Sequence, residues 1–255
     1  MSRTRRILSS TGIYHIMVRG INQQNIFVED EDYSRYLDTL EKYQKEIDFE
    51  LYAYCLMGNH LHLLMKEGNE EIGNTMKRIG VSYVYWYNWQ YNRSGHLFQG
   101  RFKSEPVEND AYFLTVLRYI HQNPLKASLT SDLEKYKWSS YKEYAKQSKM
   151  VNTNFALQLF SSDKNDSLAR FRAFHKEISN EKCLDIEEEK RTLSDEEVRE
   201  LVFNKHNIEL AKIQNMEQEL QDKIILDLRE EQGVSLRQLS RLTGFTIYRI
   251  YKAGV

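Results

Sequence analysis

The sequence predicts an α+β chain: an antiparallel sheet with helices on its faces, followed by a separate all-helical segment. Three observations lead to this class. Short stretches alternate apolar and polar residues with the period of a strand. Longer stretches between them repeat apolar residues at helical spacing. From about residue 191 onward only the helical spacing continues.

Taken in order, IYHIMVR (13–19) sets Tyr14, Ile16 and Val18 against His15, Met17 and Arg19, a strand with one apolar and one mixed face. EDEDYSRYLDTLEKYQKEI (29–47) has helical spacing through Tyr33, Tyr36, Leu37, Leu40 and Tyr43. FELYAYCLM (49–57) and HLHLLMK (60–66) are strands joined at Gly58-Asn59, a two-residue hairpin pair suited to positive φ. A long helix is expected from about Glu70 to Tyr91, with Ile72, Met76, Ile79, Tyr83 and Trp86 on one face. HLFQGRFKS (96–104) is a short extended segment, and NDAYFLTVLRYIHQNP (109–124) a capped helix stopped by Pro124. The order β-α-β-β-α-β-α matches a ferredoxin-like, split βαβ layout with an added helix.

Residues 147–190 are acidic and carry Ser and Asn, and they read as a connector with some helix. Residues 191–255 then form a helical unit. DKIILDLREEQGVSLRQLSRLTGFTIYRIYKA (222–253) reads as helix, break, short helix, turn and short helix, the pattern of a helix-turn-helix. Leu236, Leu239 and Leu242 are its expected core stripe, Ile247 and Ile250 the buried side of the last helix. Tyr248, Arg249 and Lys252 would then face duplex DNA; the alternative is a plain helical cap with a basic surface.

The net charge of -1 over 255 residues hides an uneven distribution. Between Gly73 and Ser104 the charged residues are Lys77, Arg78, Arg93, Arg101 and Lys103, with no acid; from Gly233 onward they are Arg237, Arg241, Arg249 and Lys252, again with no acid. Two basic islands separated by an acidic stretch suggest two places that meet a polyanion. No apolar run approaches a membrane span, the N-terminus has no signal-type apolar stretch, and Cys55 and Cys183 have no metal-type spacing. The expectation is a cytoplasmic protein without a membrane partner.

The stretch GNHLHLLM (58–65) carries the chemistry. Leu61, Leu63 and Met65 share one strand face, and His60, His62 and Leu64 the other. Two parallel imidazoles are a platform for a metal, or else two half-exposed histidines. In RYIHQNP (118–124), Tyr119 and Asn123 lie four apart on one helix face, at the edge of the stripe Phe113, Val116, Leu117, Ile120. Alone, such a tyrosine is a packing residue with its hydroxyl in water. Arg101 and Lys103, read as sharing a strand face, are expected to contact phosphate near the site, with Arg19 and His15 beside them. The aromatic run SYVYWYNWQY (82–91) either stacks unpaired bases or forms a thick core or protein interface. No Gly-rich phosphate loop is present.

GNHLHLLM, GHLFQGRFKS and YIHQNP, in this order, resemble the single-tyrosine HUH transposases, especially the REP-associated tyrosine transposases. The resemblance covers roughly residues 10–145, within an HUH domain placed at 1–146. It implies a metal-dependent endonuclease and strand transferase acting on single-stranded, hairpin-bearing DNA. By position, His60 and His62 would hold Mg²⁺ or Mn²⁺, Asn123 would complete the protein ligands, and Tyr119 would be the nucleophile. Gln122 stands as an alternative third ligand, because Asn123 precedes Pro124. A homodimer is left open. Two other functions compete: a catalytically inactive hairpin-binding regulator, and an HUH replication initiator or relaxase. The latter fits less well, since those enzymes usually have a third histidine and an N-terminal nucleophile.

Overall fold

The computed structural model describes residues 6–145, 148–177, 183–185, 193–231 and 233–253, and the chain divides into two compact units, 1–185 and 186–255. In the first, strands β1 (Ile13–Arg19), β2 (Glu50–Met57), β3 (His60–Lys66) and β4 (Lys103–Pro106) form one antiparallel sheet in the order β2-β3-β1-β4. With helices α1 (Asp30–Ile47), α2 (Ile72–Gln90) and α3 (Asp110–Lys126), this is the expected α+β arrangement.

Register decides what each sheet face carries. Ile16 lies opposite Leu63 and Val18 opposite Leu61; on the other face Met17 lies opposite His62 and Arg19 opposite His60. The leucine face packs toward α1 and α2, where Tyr36 and Tyr83 meet edge to face at 5.0 Å. The histidine face is roofed by α3. Asn109 caps that helix by accepting from the Tyr112 amide at 2.8 Å.

Two local expectations change. Neither Gly58 nor Asn59 takes positive φ. Their turn is held from outside: Gly58 O accepts from the amides of Ile26 (2.8 Å) and Phe27 (3.0 Å), and Asn59 O from Gly20 (2.8 Å). Pro124 does not end α3, which runs on to Lys126. A proline in the last turn forfeits only its own bond, to the carbonyl of Ile120, and the Ala127 amide still reaches Asn123 O at 3.0 Å.

The segment expected to be a connector belongs largely to the first unit. After the short helix α4 (Tyr141–Ala145), Val151, helix α5 (Thr153–Gln158) through Ala156 and helix α6 (Lys164–Lys176) through Phe171 join its core. Phe171 is fully buried, stacked on Tyr144 at 4.5 Å and against His175 at 4.1 Å. The reason is a buried polar clasp. His121 Nδ1 and His175 Nε2 lie 2.9 Å apart, His121 Nε2 is 2.9 Å from Ser140 Oγ, and Gln122 Nε2 donates to the carbonyls of His175 (2.9 Å) and Glu177 (2.8 Å).

The second unit contains helices α7 (Asp195–His206), α8 (Gln218–Glu230), α9 (Leu236–Thr243) and α10 (Ile247–Lys252) around Val198, Val202, Ile224, Leu228, Leu239 and Ile250. Gly244, at φ 73°, turns the chain out of α9, and the Thr246 side chain caps α10 by accepting from the Arg249 amide at 3.2 Å. Leu236 and Ile247, expected in the core, are 36% and 45% exposed: each is the first residue of its helix, and the buried positions are Gln238, Leu239 and Thr243 of α9 and Ile250 of α10. Among the described residues no helix is long and apolar enough to cross a membrane.

Candidate active site

β3 and α3 bring the motif residues together. The His60 and His62 rings are 5.3 Å apart and perpendicular, and Tyr119 stands edge-on to His62 at 5.6 Å and to His15 at 5.7 Å. Asn123, one helical turn beyond, donates its amide to Tyr119 O at 3.0 Å. Gln122, the alternative ligand, donates its amide nitrogen to the carbonyls of His175 and Glu177 at the end of α6.

The histidines do not stand on an open face. His62 and His15 are fully buried and His60 is 9% exposed, because α3 covers the strand face that sequence left open. Burial lowers the pKa of all three: His15 to about 3, His60 to about 4, and His62 well below its ordinary value, with His15 and His60 adding to the last. All are neutral at pH 7, the form in which imidazole ligates.

Each proposed ligand has one nitrogen engaged. His60 Nδ1 donates to Asn59 Oδ1 at 2.7 Å, which leaves Nε2 with its lone pair. His62 Nδ1 lies 3.0 Å from His15 Nε2, and His62 Nε2 is buried without a hydrogen-bond partner. Among the described residues no group of three His, Cys, Asp or Glu side chains is placed to hold a metal ion.

Tyr119 is 3% exposed. Its hydroxyl pKa is raised, by burial first and by the Asp185 carboxylate second. The Lys126 ammonium sits 4.5 Å from the Tyr119 ring centroid. Residues 183–185 cross this region: the Leu184 amide donates to Glu105 Oε2 at 3.2 Å, and Asp185 also raises the pKa of His60. Sequence gave no sign of Asp185, which sits in a stretch read as connector. Lys126 was legible as the position seven after Tyr119, on the same helix face.

The expected basic contacts divide. Arg19, opposite His60, is buried beside the site and presses the His60 pKa down. Lys103 stands opposite Met17 on the histidine face. Arg101 does not share that face; it lies in the bend before β4 and lines a groove against α2. His15, expected at phosphate, is instead sealed beneath α3 against His62. In the second unit Arg249 turns back to an ion pair with Asp222 of α8, while Lys252, Tyr248 and Tyr251 are exposed. The acid-free C-terminal sequence thus finds its acids in space.

β3 and α3 thus bring two histidines and a tyrosine together on one sheet face, with Asn123 one turn along the same helix. Residues 9–123, a little under half of the chain, match the family described as Transposase IS200 like. The chain is 24% identical over 155 residues to a REP-associated tyrosine transposase of Haemophilus influenzae, spanning 55% of this chain and 86% of the relative. Its fold is that of a REP-associated tyrosine transposase solved bound to a REP hairpin, with a TM-score of 0.50 and 18% identity over 57% of this chain and 86% of that one.

Proposed function

We propose that the chain is a metal-dependent single-strand DNA endonuclease and strand transferase that nicks and rejoins hairpin-bearing DNA. The observation that carries this reading is the convergence of Tyr119 with two neutral imidazoles, each with Nδ1 engaged by a neighbour (Asn59 for His60, His15 for His62). His60, His62 and Asn123 are the residues that would hold Mg²⁺ or Mn²⁺; imidazole favours Mn²⁺, while the amide and a phosphate supply the oxygen that Mg²⁺ needs. Such an ion, when bound, withdraws charge from the scissile phosphate and orients it for in-line attack.

The chain's own residues do the rest. The Tyr119 oxygen attacks phosphorus, a Tyr–O–P bond forms, and the P–O3′ bond breaks. The product is a 5′-phosphotyrosine and a free 3′-hydroxyl, with the phenol proton passing to solvent and the 3′-oxygen taking one up. One phosphodiester replaces another, so a later 3′-hydroxyl reverses the step and joins strands. Lys126, above the Tyr119 ring, and Arg19, beside His60, favour the negative charge gathered there. Sealing of Tyr119 beside Asp185 favours a second reading, a domain that holds hairpins without cutting them.

The helical unit adds duplex binding: α10 presents Tyr248, Tyr251 and Lys252 as a recognition surface after the α9 turn. Incubation of the full chain with a single-stranded hairpin and Mn²⁺, followed by a denaturing gel, separates the readings. A covalent protein–DNA band that disappears in His60→Ala and His62→Ala supports the enzyme; hairpin binding without that band supports the regulator.

A further inference from the structure

On the sheet face opposite the histidines, α2 and residues 96–102 enclose a groove of about 740 Å³. Gly73, Gly80, Met76, Leu97 and Gly100 are among its lining, and a side chain at Gly100 would meet nothing within 4 Å. Lys77 and Arg101 are the Lys, Arg, Asp or Glu side chains among its described lining residues. Arg6 reinforces the positive end: its guanidinium lies 3.9 Å over the Phe102 ring, and burial first and Arg101 second lower its pKa. From Gly73 to Asn88 the groove follows α2 for about 22 Å at 1.5 Å per residue.

The rim is unusual for a helix that packs so well on its other side. Val81, Tyr85 and Trp89, spaced four apart, are 62%, 78% and 73% exposed. Among the described residues the side chains of Tyr85 and Trp89 make no hydrogen bond or ring contact. Apolar and aromatic residues in a stripe beside a groove lined by Lys77 and Arg101 present flat π-faces together with cations, the combination by which single-stranded nucleic acid is held without regard to sequence. A second copy of this chain is the competing occupant, but a self-pairing groove would bring Lys77, Arg101 and Arg6 against their own like charges.

The groove also leads somewhere. Arg101 lines it, and Lys103, two residues later, lies on the histidine face of β4, the edge strand of the sheet. A strand passing over this edge goes from one to the other.

We propose that the groove between α2 and residues 96–102 binds the single-stranded DNA that flanks the hairpin, with phosphates at Lys77 and Arg101 and bases stacked on Tyr85 and Trp89. This rests on the reading of the chain as a hairpin-DNA enzyme and adds where the unpaired flank runs. The test measures binding alone, by fluorescence anisotropy in EDTA, so that no cleavage intervenes. The probes are a blunt hairpin and the same hairpin carrying an oligo-dT flank on either end. The expected result is tighter binding of one flanked hairpin by the wild type. Y85A/W89A then weakens that probe about tenfold or more, the loss of at least one stacked base, and leaves the blunt hairpin unchanged. K77E weakens the flanked probe and reduces its salt dependence. Equal binding of blunt and flanked hairpins by the wild type overturns the groove assignment while leaving the enzyme reading intact. Failure to bind any hairpin removes both. Equal losses on both probes in Y85A/W89A, or a wild-type dimer that the variant converts to monomer with DNA affinity unchanged, also overturns it. Unchanged melting temperatures in the variants, expected for side chains this exposed, show that the fold is not the cause.

Discussion

His15→Phe tests whether the third buried histidine sets the chemistry of the second. His62 and His15 are both fully buried and their nitrogens are 3.0 Å apart. For His62 to offer a lone pair at Nε2, its proton must sit on Nδ1 and be donated to His15 Nε2. Phenylalanine keeps the volume and removes that acceptor. Loss of a partner that orients a ligand histidine typically weakens metal affinity 10–100-fold, or about 1.4–2.7 kcal/mol. The same change leaves a buried N–H unsatisfied, worth about 1–3 kcal/mol of stability. At roughly 2–4 °C per kcal/mol for a unit of this size, the melting temperature falls by about 2–12 °C. Calorimetric Mn²⁺ titration reads the first quantity and thermal denaturation in EDTA the second. His15→Gln, which restores an acceptor, recovers part of the affinity. Nitrogen-15 spectra of the wild type are expected to show His62 protonated at Nδ1. Full Mn²⁺ affinity in His15→Phe, or an Nε2-protonated His62, refutes the reasoning.

Four further outcomes follow from the same geometry. Phe171→Ala, at a fully buried ring stacked between aromatic neighbours, costs about 3–5 kcal/mol; an unchanged melting curve would return α6 to the role of a connector. His121 and His175 are held neutral below the ordinary histidine value, His175 to about 4, so their contribution is complete above about pH 6.5 and is lost as pH falls toward 4. Melting temperatures measured across that window should drop, and His121→Gln should flatten the drop. Asp185→Ala, by removing the carboxylate that opposes both a phenolate and a phosphate at Tyr119, is expected to raise the rate of covalent adduct formation severalfold in a single-turnover assay; a slower rate would make Asp185 part of the machinery instead. Removal of residues 186–255 should weaken duplex affinity and flatten its salt dependence while single-strand cleavage persists; loss of cleavage with duplex binding intact would assign that unit to catalysis.

The sheet and the grouping of the motif residues in the candidate site were legible because their signals are local. Alternation in HLHLLMK fixes which residues share a face, and the spacing of Tyr119 and Asn123 fixes which share a helix side. What was not legible depends on partners distant in sequence. The burial of His60 and His62 needs the α3 roof, and the His15–His62 bond joins residues 47 apart. The placement of α6 rests on histidines, a serine and a glutamine rather than on a long apolar stripe, so residues 164–176 carry a weak helical pattern despite a fully buried Phe171. Arg101 was misplaced because strand alternation was extended into a bend, where the chain leaves the pleat before Lys103. The C-terminal basic island looked free because its acids, Asp195 and Asp222, come from earlier helices.

Covalent attachment at Tyr119 is the claim on which the rest depends. A hairpin substrate trapped with Mn²⁺, digested and mapped by mass spectrometry, is expected to carry its 5′-phosphate on the peptide containing Tyr119. Tyr119→Phe, which removes one oxygen and little packing, should yield no adduct while Mn²⁺ and hairpin affinity persist, and Tyr112→Phe should react as the wild type does. DNA attached to Tyr112 or to any other residue, or an adduct that survives Tyr119→Phe, contradicts the account.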